Sequence, residues 1–525
     1  MDQTSEQDLE KSGGAAQVSI TTQHGSDTPG NHSSLDHEVA PTPNLLKGRL
    51  AVWNDKVEGL SGLEARGIRR VLPDEKTGGG LRAYINMFLL WFSINLVAIN
   101  ILTGLLGPLL FELGWVDSVC IVVFALMISA CGPAYTSTFG PLSGCRTMIL
   151  GRFVMGYWPS KLVGILNLIQ LLGYGIIACI IAGQMISAVN GQGLTVAVGC
   201  IISALLIAIV AIFGIKLVYR FERYSWIIQA FAISILTGVS RKEWDTSAVS
   251  VGPSGTISAN RCSFFALVFA GTIGYASASA DFYVYYPVQT SRPITFLMTW
   301  SATFIPLVWC NLVGIGIGTG VAADQAWSDA YDISSGALVL AAYEGLGRFG
   351  GFCVVILAFG SVASNAPGAY SAAVTFQALG RYTKAIPRWF WCVIIFVIEL
   401  VCSVAGRNSL FAVFQNFMPV MSYWVCPFLT IWIEESMLFR TLRHNPFDWT
   451  FWEDKKQLPV GAAALFAFLC GWAGAIVGMY QVWYAGPIAI EIGKHGGDIG
   501  AWLSIAFCGI IFPPLRYLEI KKFGR

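Results

Sequence analysis

The first long apolar stretch of the chain, residues 84–111, reads YINMFLLWFSINLVAINILTGLLGPLLF. As a helix it is long enough to cross a hydrocarbon core of about 30 Å. It is polar and flexible for such a helix, because it contains Ser93, Asn95, Asn100, Gly104, Gly107 and Pro108. Interrupted helices of this kind are typical of a binding site at mid-membrane depth. Close helix packing through small residues is the alternative.

The composition agrees with a membrane protein. The apolar fraction is 55% and the charged fraction 12%, whereas a soluble domain has about 25% charged residues. Backbone polar groups in lipid need internal partners, so apolar runs of this length must be helices. We therefore predict an all-α polytopic membrane protein of twelve spans. The predicted spans are 84–111, 118–139, 162–189, 194–214, 224–239, 263–286, 296–322, 350–376, 389–405, 409–432, 460–482 and 501–515.

The positions of the 33 Lys and Arg residues support these spans, because none lies inside one. Loops on the side of the N-terminus hold 14 of them, against 6 in the loops on the other side. Cytoplasmic loops are enriched in Lys and Arg, so we expect both termini in the cytoplasm and a multi-pass protein of the plasma membrane. Residues 1–82 would be an N-terminal tail, disordered to about residue 44, and 83–515 the transmembrane core. A cytoplasmic tail at 516–525 would complete the chain.

Three acidic residues lie within or at the edge of predicted spans, and each is a candidate for binding a proton or a cation. A charge at mid-membrane costs about 2.5–3.5 kcal/mol. Glu222 follows Arg220 at the start of span 5, where an interfacial ion pair is the alternative. Asp281 follows a run of small residues, where a helix cap is the alternative. Glu399 lies in an otherwise apolar span 9, where pairing with a neighbouring helix and function are both open.

Spans 6 and 8 are also polar. Span 6 contains Gly271, Gly274 and Ser277, and it corresponds to span 1 in a chain of two five-helix halves. Span 8 includes Ser364, Asn365 and a proline within twelve residues. Freed backbone groups in span 6 and the side chains of span 8 would line a ligand cavity.

The remaining sequence patterns do not indicate an enzyme. The run Gly314-Ile315-Gly316-Ile317-Gly318 lies in a span, where small-residue packing explains it better than nucleotide binding. The five histidines lie outside the spans without metal-ligand spacing, and we find no nucleophile–base arrangement. We therefore predict neither catalysis, nor a cofactor or metal, nor nucleic-acid binding. The expected partners are a small-molecule substrate, protons and the lipid bilayer, and the oligomeric state stays open.

Several segments of the chain agree, in order, with one known group of proteins. They are 91–95, 103–108, 133–135, 138–141, 144–148, 166–170, 183–184, 213–216, 220–224 and 281–285. Together they resemble the fungal purine–cytosine permeases of the nucleobase-cation-symport family. The resemblance implies a five-plus-five inverted repeat of the leucine-transporter type with two further helices. It also implies uptake of a nucleobase-like solute, driven by protons in the fungal members.

The resemblance further implies that spans 1, 3, 6 and 8 form the site. Ser93 would contact the ligand, Tyr174 and Tyr275 would enclose a planar ring, and Glu222 would affect transport. With the polar residues identified above, the predicted substrate-binding set is Ser93, Asn95, Tyr174, Tyr275, Ser364 and Asn365. The predicted coupling or gating residues are Glu222 and Asp281.

This chain departs from the usual family pattern at three amides. Ala178, Ser364 and Gly368 stand where the typical members carry asparagine. A site that hydrogen-bonds a base edge loses affinity without such partners, so we expect cytosine and adenine to be poor substrates. The leading prediction is a proton-coupled symporter of a nucleobase or a similar planar nitrogen heterocycle, working by alternating access. A transporter of another metabolite, such as a vitamin B6 form or a nucleoside, and a non-transporting nutrient sensor are the alternatives.

Overall fold

The computed structural model describes residues 67–525, except 77, 192, 214, 494, 495 and the side chains of 215–221. The predicted disorder up to residue 44 lies outside the described residues. The helices are α1 Leu81–Asn95, α2 Ala98–Leu110, α3 Trp115–Ser129, α4 Cys131–Ser137, α5 Phe139–Ser143, α6 Thr147–Met155, α7 Pro159–Val189, α8 Val196–Phe213, α9 Ile215–Ser240, α10 Ser254–Ile273, α11 Arg292–Gly320, α12 Gln325–Ile333, α13 Ser335–Ala341, α14 Arg348–Ala378, α15 Arg381–Ala385, α16 Arg388–Gly406, α17 Leu410–Glu434, α18 Ala462–Gly478, α19 Pro487–Ile490 and α20 Gly500–Phe523.

Every predicted span has a helical counterpart. Among the described residues, nine helical segments are long and apolar enough to cross a membrane, and the pair α1–α2, bent by 51°, adds a tenth. The other two predicted spans correspond to α18, an apolar helix of 17 residues, and to α9. The first half of α9, with the sequence IKLVYRFERY, is too polar to resemble a lipid-crossing helix. The protein is therefore an all-α polytopic membrane protein, as the sequence predicts.

Some boundaries differ from the prediction. The helix of the fifth span begins at Ile215 rather than at 224, because the polar residues before 224 are also helical. The sixth is not one helix from 263 to 286: α10 ends at Ile273, and two 3₁₀ turns follow, Gly274–Ser277 and Ser279–Phe282. The last helix continues to Phe523, so most of the predicted C-terminal tail is helical.

The helices form two packed groups. In one group, α11 packs against α1, α2, α3 and α4, and α10 packs against α3. In the other, α7, α8, α14 and α16 all contact one another. The α9 helix touches α1 and α14, and α17 touches both α10 and α20. The broken spans 1 and 6 therefore lie in one group and span 8 in the other.

Glycines allow close contact within the first group. A Cβ at Gly104 would meet the backbone of Asn311, and one at Gly314 would meet the carbonyl oxygen of Ile101. Such small-residue contacts replace the hydrophobic driving force that helices lack in lipid. Packing between α2 and α11 therefore accounts for Gly314 and Gly318, whereas Gly316 makes room for the ring of Trp244.

The two ends of the helix bundle have different structures. At the end where α1 begins, here called the Arg146 face, Val71 N donates to Gly144 O at 2.9 Å, which ties residues before α1 to the start of α6. At the opposite end, the Asp498 face, β1 (Tyr480–Gln481) and β2 (Tyr484–Ala485) form a short antiparallel hairpin between α18 and α20. These features distinguish the two ends of the bundle.

The Asp498 face is held by a buried carboxyl group. Asp498 accepts hydrogen bonds from the Tyr423 hydroxyl, from Gln481 Nε2 at 2.7 Å and from Gly500 N at 2.9 Å. Burial raises the pKa of Asp498 to about 6, although these hydrogen bonds oppose the rise. The cluster joins the hairpin to α17 and α20.

This raised pKa predicts a pH-dependent stability. A folded-state pKa above the unfolded value of 3.8 gives stability that is fully present below about pH 4 and is lost as pH rises through about 6. We expect the Tm of the purified protein to fall across this range, and Asp498→Asn to make the fall shallower. Thermal unfolding in detergent at a series of pH values measures both.

Asp448 provides a control, because its pKa is shifted in the opposite direction to that of Asp498. It is exposed, and hydrogen bonds from the Thr450 hydroxyl and amide lower its pKa. Asp448→Asn should therefore not flatten the Tm curve. Parallel curves for the wild type and Asp498→Asn would contradict the prediction.

Candidate functional site

The break in span 6 exposes backbone carbonyls, and side chains of α7 satisfy them. The Tyr174 hydroxyl donates to Gly271 O at 3.0 Å, and Gln170 Nε2 donates to Gly274 O at 2.7 Å. The Ser277 hydroxyl in turn donates to Asn167 Oδ1 at 2.6 Å. In lipid such partners are obligatory for non-helical backbone, so these bonds link the two helix groups at the centre of the protein.

An aromatic cluster lies at this break. The rings of Tyr174 and Tyr275 are parallel, with 6.0 Å between centroids and 7° between planes. Trp91 meets Tyr275 edge-on at 5.6 Å, and Phe417 meets Tyr174 edge-on at 6.1 Å. The two helix groups and α17 therefore contribute rings to one cluster, here called the aromatic box, which consists of Trp91, Tyr174, Tyr275 and Phe417.

The predicted enclosure of a planar ring by Tyr174 and Tyr275 requires movement. A ring stacked between them needs roughly 7 Å, two contacts of about 3.5 Å each. The observed 6.0 Å leaves too little room. The two tyrosines face each other as the sequence predicts, but a ligand enters between them only after they separate.

Asn95 lies at the break in span 1. Its Nδ2 donates to Trp91 O at 2.8 Å, and its backbone oxygen accepts from Asn100 Nδ2 at 2.7 Å. The side-chain oxygen of Asn95 is buried without a hydrogen-bond partner among the described residues. Such an acceptor is costly unless it receives a donor in another state of the protein. Asn95 is thus well suited to accept a hydrogen bond from a ligand.

The two candidates on α14 differ. Ser364 donates to Ser361 O of its own helix at 3.0 Å. Asn365 is buried, and its Nδ2 lies 3.5 Å from Glu399 Oε1 on α16. A Cβ at Gly175, next to Tyr174, would clash with both of these groups. Asn365 is therefore adjacent to the aromatic box, whereas the Ser364 hydroxyl is used within its helix.

Ser93 and Glu222 form a separate cluster. The hydroxyls of Ser93 on α1 and Ser225 on α9 are 2.7 Å apart. The Ser225 hydroxyl also lies 3.4 Å from Glu222 Oε2, and Glu222 is buried. Because Ser93 contacts α9, the structure groups it with Glu222 rather than with Tyr174 and Tyr275.

Asp281 belongs to a network at the Arg146 face. Its carboxylate accepts from Thr147 N at 2.6 Å, Thr147 Oγ1 at 2.9 Å and Ser371 Oγ at 2.7 Å. Arg146 donates to the Asp281 carbonyl oxygen at 2.7 Å and to the Tyr370 hydroxyl at 2.6 Å. The carboxylate caps the start of α6 from another segment. This network ties the end of broken span 6 to α6 and α14.

A cavity lies on the opposite side of the box. Its volume is about 550 Å³, and it is lined by the end of α2, by the middle of α10, by α17 and by the hairpin. Its lining includes Phe111, Leu267, Pro419, Gln481 and Asp498. Leu267 is one helical turn from Gly271, so the cavity reaches toward the break in span 6 from the Asp498 face.

The structure thus joins four of the eight predicted residues into one chain of contacts. Asn95, Tyr275, Tyr174 and Asn365 are linked through Trp91 and Gly175. Sequence reasoning missed Phe417 and the roles of Gln170 and Arg146. The glycines Gly173 and Gly175 are the sequence signal for these neighbours. A Cβ at Gly173 would strike the Phe417 ring, and a Cβ at Gly175 would strike the Glu399 carboxyl group.

Comparison with known proteins decides the family. The family described as permease for cytosine/purines, uracil, thiamine and allantoin matches residues 72–496. The chain belongs to this permease family. It is 32% identical to the vitamin B6 transporter of Saccharomyces cerevisiae over 536 aligned positions, covering 92% of each chain. It is 33% identical to the purine-cytosine permease of Emericella nidulans over 470 positions, covering 88% of this permease and 90% of that one.

Solved structures support the fold. A nucleobase-cation-symport-1 family transporter in a closed conformation with bromovinylhydantoin bound matches with a TM-score of 0.63 at 12% identity, covering 89% of this chain and 97% of that one. A substrate-bound, outward-open sodium-coupled sialic acid symporter matches with a TM-score of 0.56 at 11% identity, covering 85% and 92%. The permease therefore has the leucine-transporter-type fold, and it is a secondary transporter.

The Asp281 network predicts a strong contribution to stability. Asp281→Ala leaves buried donors on Thr147 and Ser371 without an acceptor, which costs at least about 2 kcal/mol. Unfolding of the purified permease in detergent, followed by tryptophan fluorescence, measures the loss.

The ion pair between Lys384 and Glu453 is the matched control. The two groups are 2.6 Å apart, but the Glu453 side chain is 51% exposed. Glu453→Ala should cost about 0–1 kcal/mol. Equal losses in the two variants would show that the Asp281 network is not important for stability.

Proposed function

We propose that this permease is a proton-coupled symporter of a planar nitrogen heterocycle, working by alternating access. The observation that carries the proposal is the parallel pair Tyr174 and Tyr275 at the broken span 6. Faces of two aromatic rings suit a flat heterocycle better than a sugar or an aliphatic amino acid. The substrate ring would lie between them, with Asn95 and Asn365 at its edge. Ser93 and Ser364 would become further contacts only by exchanging their present hydrogen bonds to Ser225 and to Ser361 O.

Among heterocycles, a vitamin B6 form is favoured over cytosine and adenine. The amides that typical purine–cytosine members carry are replaced by Ala178, Ser364 and Gly368 in this chain. The Ser364 hydroxyl, the one polar group among these three side chains, is bonded to its own helix. A base edge with alternating donors and acceptors would lose partners there. The relative from Saccharomyces cerevisiae that is a vitamin B6 transporter supports this choice.

Two features support alternating access. At the Arg146 face the Asp281 network joins span 6 to α6 and α14 and would act as a gate, whereas the cavity of about 550 Å³ lies at the Asp498 face. With the N-terminus in the cytoplasm, the Arg146 face is cytoplasmic and the cavity is external. Substrate would enter past the hairpin, and opening of the Asp281 network would release it at the cytoplasmic face.

The coupling ion is proposed to be the proton. Glu222 and Asp281 are buried acids in or beside helices that must move, and neutralising a buried acid is cheaper than burying its charge. Glu222 contacts α1 through Ser225 and Ser93, so its protonation state would affect the position of span 1. Asp281 serves as a gating group.

One uptake experiment tests substrate class and coupling together. The permease is expressed in yeast that lacks its own transporters for these solutes, and uptake of labelled pyridoxine, cytosine and adenine is measured. We expect saturable pyridoxine uptake that falls steeply when the pH gradient is collapsed. Efficient saturable cytosine uptake would overturn the substrate choice, and pyridoxine uptake that ignores the gradient would overturn proton coupling.

The tyrosine pair predicts a specific change in apparent affinity. Aromatic pairing contributes about 0.5–1.5 kcal/mol beyond area burial, so Tyr275→Leu should raise KM by roughly 2- to 12-fold. Tyr275→Trp should keep KM close to that of the wild type, because the stacking face is retained. Uptake is normalised to the amount of permease in the membrane.

Phe265, on α10 before the break, provides the control. It stacks on Phe269 with 6.2 Å between centroids, away from the break. Phe265→Leu removes a similar ring and should leave KM unchanged. A KM that rises equally in both leucine variants would argue against a ligand contact at Tyr275.

A further inference from the structure

Glu399 is a buried acid for which the predicted site gives no role. It is the twelfth of the 19 residues of α16 and is 1% exposed. Its Oε1 lies 3.5 Å from Asn365 Nδ2, and its Oε2 has no hydrogen-bond partner among the described residues. A carboxyl group is therefore present at mid-helix with one long hydrogen bond.

No cation among the described residues lies within ion-pair distance of Glu399. Arg388 and Arg407 lie on the same helix axis at about 16 and 12 Å, counted at 1.5 Å per residue. The nearby titratable groups are Cys179 and Tyr174 on α7, Cys392 on α16 and Cys200 on α8, and α14 contributes Asn365. A lone ionised carboxylate in such a place costs several kcal/mol, and binding a proton removes that cost.

The position of Glu399 connects it to the substrate site. It reaches α7 at Gly175, where any larger residue would clash with both Glu399 and Asn365. Gly175 is next to Tyr174, which forms one wall of the aromatic box. The carboxyl group therefore lies behind the box, one residue away from a predicted substrate contact.

We propose that Glu399 carries the transported proton and that it communicates with the substrate through Asn365. This inference rests on the proposed proton-coupled function. The Glu399 carboxylate takes a proton from the external side and returns it to the cytoplasmic side, and no other bond changes.

The hydrogen bond to Asn365 gives the direction of coupling. Ionised Glu399 accepts a charge-assisted bond, which is roughly twice as strong as a neutral one and holds the amide against α16. Protonated Glu399 accepts more weakly and releases the amide for the substrate. Protonation then raises substrate affinity, and by linkage the substrate raises proton affinity by the same factor.

A metal cation fits this place poorly. Hard cations take about six or more oxygen ligands, whereas Glu399 and Asn365 offer one carboxyl and one amide. Among the described residues no group of three or more His, Cys, Asp or Glu side chains is arranged to hold a metal. The proton is the cation that this pair suits.

Infrared difference spectroscopy tests the protonation itself without any substrate. Purified, reconstituted wild type should show a carbonyl band of a protonated carboxylic acid that shifts in D₂O and titrates with pH. Glu399→Gln should lose the part of this absorption that Glu399 contributes, while the part from Asp498, whose raised pKa of about 6 also keeps it protonated at lower pH, remains. A spectrum identical to that of the wild type would overturn the proposal, even if the substrate of the permease were wrongly assigned.

Transport by the same variant tests coupling. Glu399→Gln mimics the protonated state, so it should exchange labelled for unlabelled pyridoxine at any pH but lose gradient-driven accumulation by at least tenfold. Glu399→Asp should recover part of the accumulation, because it restores a titratable group one methylene shorter. Retained accumulation with the wild-type pH profile in Glu399→Gln would overturn the role in coupling.

Glu434 supplies the matched control. It is another partly buried acid with an unpartnered oxygen, and it lies at the end of α17 beside Gly509. Glu434→Gln should keep both exchange and accumulation. Loss of accumulation in this control to the same extent would assign the effect to general loss of buried charge and would overturn the assignment to Glu399. Absence of pyridoxine transport by the wild type would instead contradict the proposed function, while the infrared comparison would still decide the protonation of Glu399.

Discussion

The hydrogen bonds from α7 to the broken span 6 are the interaction on which the centre of the permease depends. In lipid an unpaired carbonyl costs several kcal/mol, so a helix can be interrupted only where other groups replace its internal bonds. Tyr174 and Gln170 do this for Gly271 and Gly274. The same Tyr174 forms the parallel ring pair with Tyr275. The residue that permits the break is therefore also the residue that forms the wall of the candidate site.

This arrangement links binding to movement. Tyr174 and Gln170 are on a helix of one packed group, and the carbonyls that they satisfy are on a helix of the other. The rings must separate before a planar ligand fits between them, and separation stretches the hydrogen bonds that hold the groups together. A ligand with its own donors can replace those bonds. The free energy of opening and the free energy of binding are then coupled at the same atoms.

The sequence predicted the parts of this structure that depend on local patterns. Hydropathy and charge located twelve helical segments, ten of which are long and apolar enough among the described residues to cross a membrane, and glycine and polar residues indicated the breaks near Asn95 and Gly274. The family pattern predicted that Tyr174 and Tyr275 face each other. It could not predict that Ser93 pairs with Ser225, 132 residues away, or that Arg146 bonds the backbone of Asp281, because no periodicity specifies which helix faces a given side chain. The helical start of span 5 was missed because its residues are polar, and hydropathy identifies only the apolar part of a helix.

The contact between Asn365 and Glu399 changes the meaning of the missing amides. Judged by Ala178, Ser364 and Gly368, the site is less polar than that of the typical purine–cytosine members. However, Gly175 lies one helical turn before Ala178, and its lack of a side chain lets a carboxyl group from α16 reach Asn365. A polar group from a neighbouring helix therefore lies behind the site, next to Asn365. An amide presents fixed donors and acceptors, whereas a carboxyl group changes from acceptor to donor when it binds a proton. With a titratable group beside Asn365, the hydrogen bonds that Asn365 offers to a ligand depend on the proton, which a fixed amide edge does not allow.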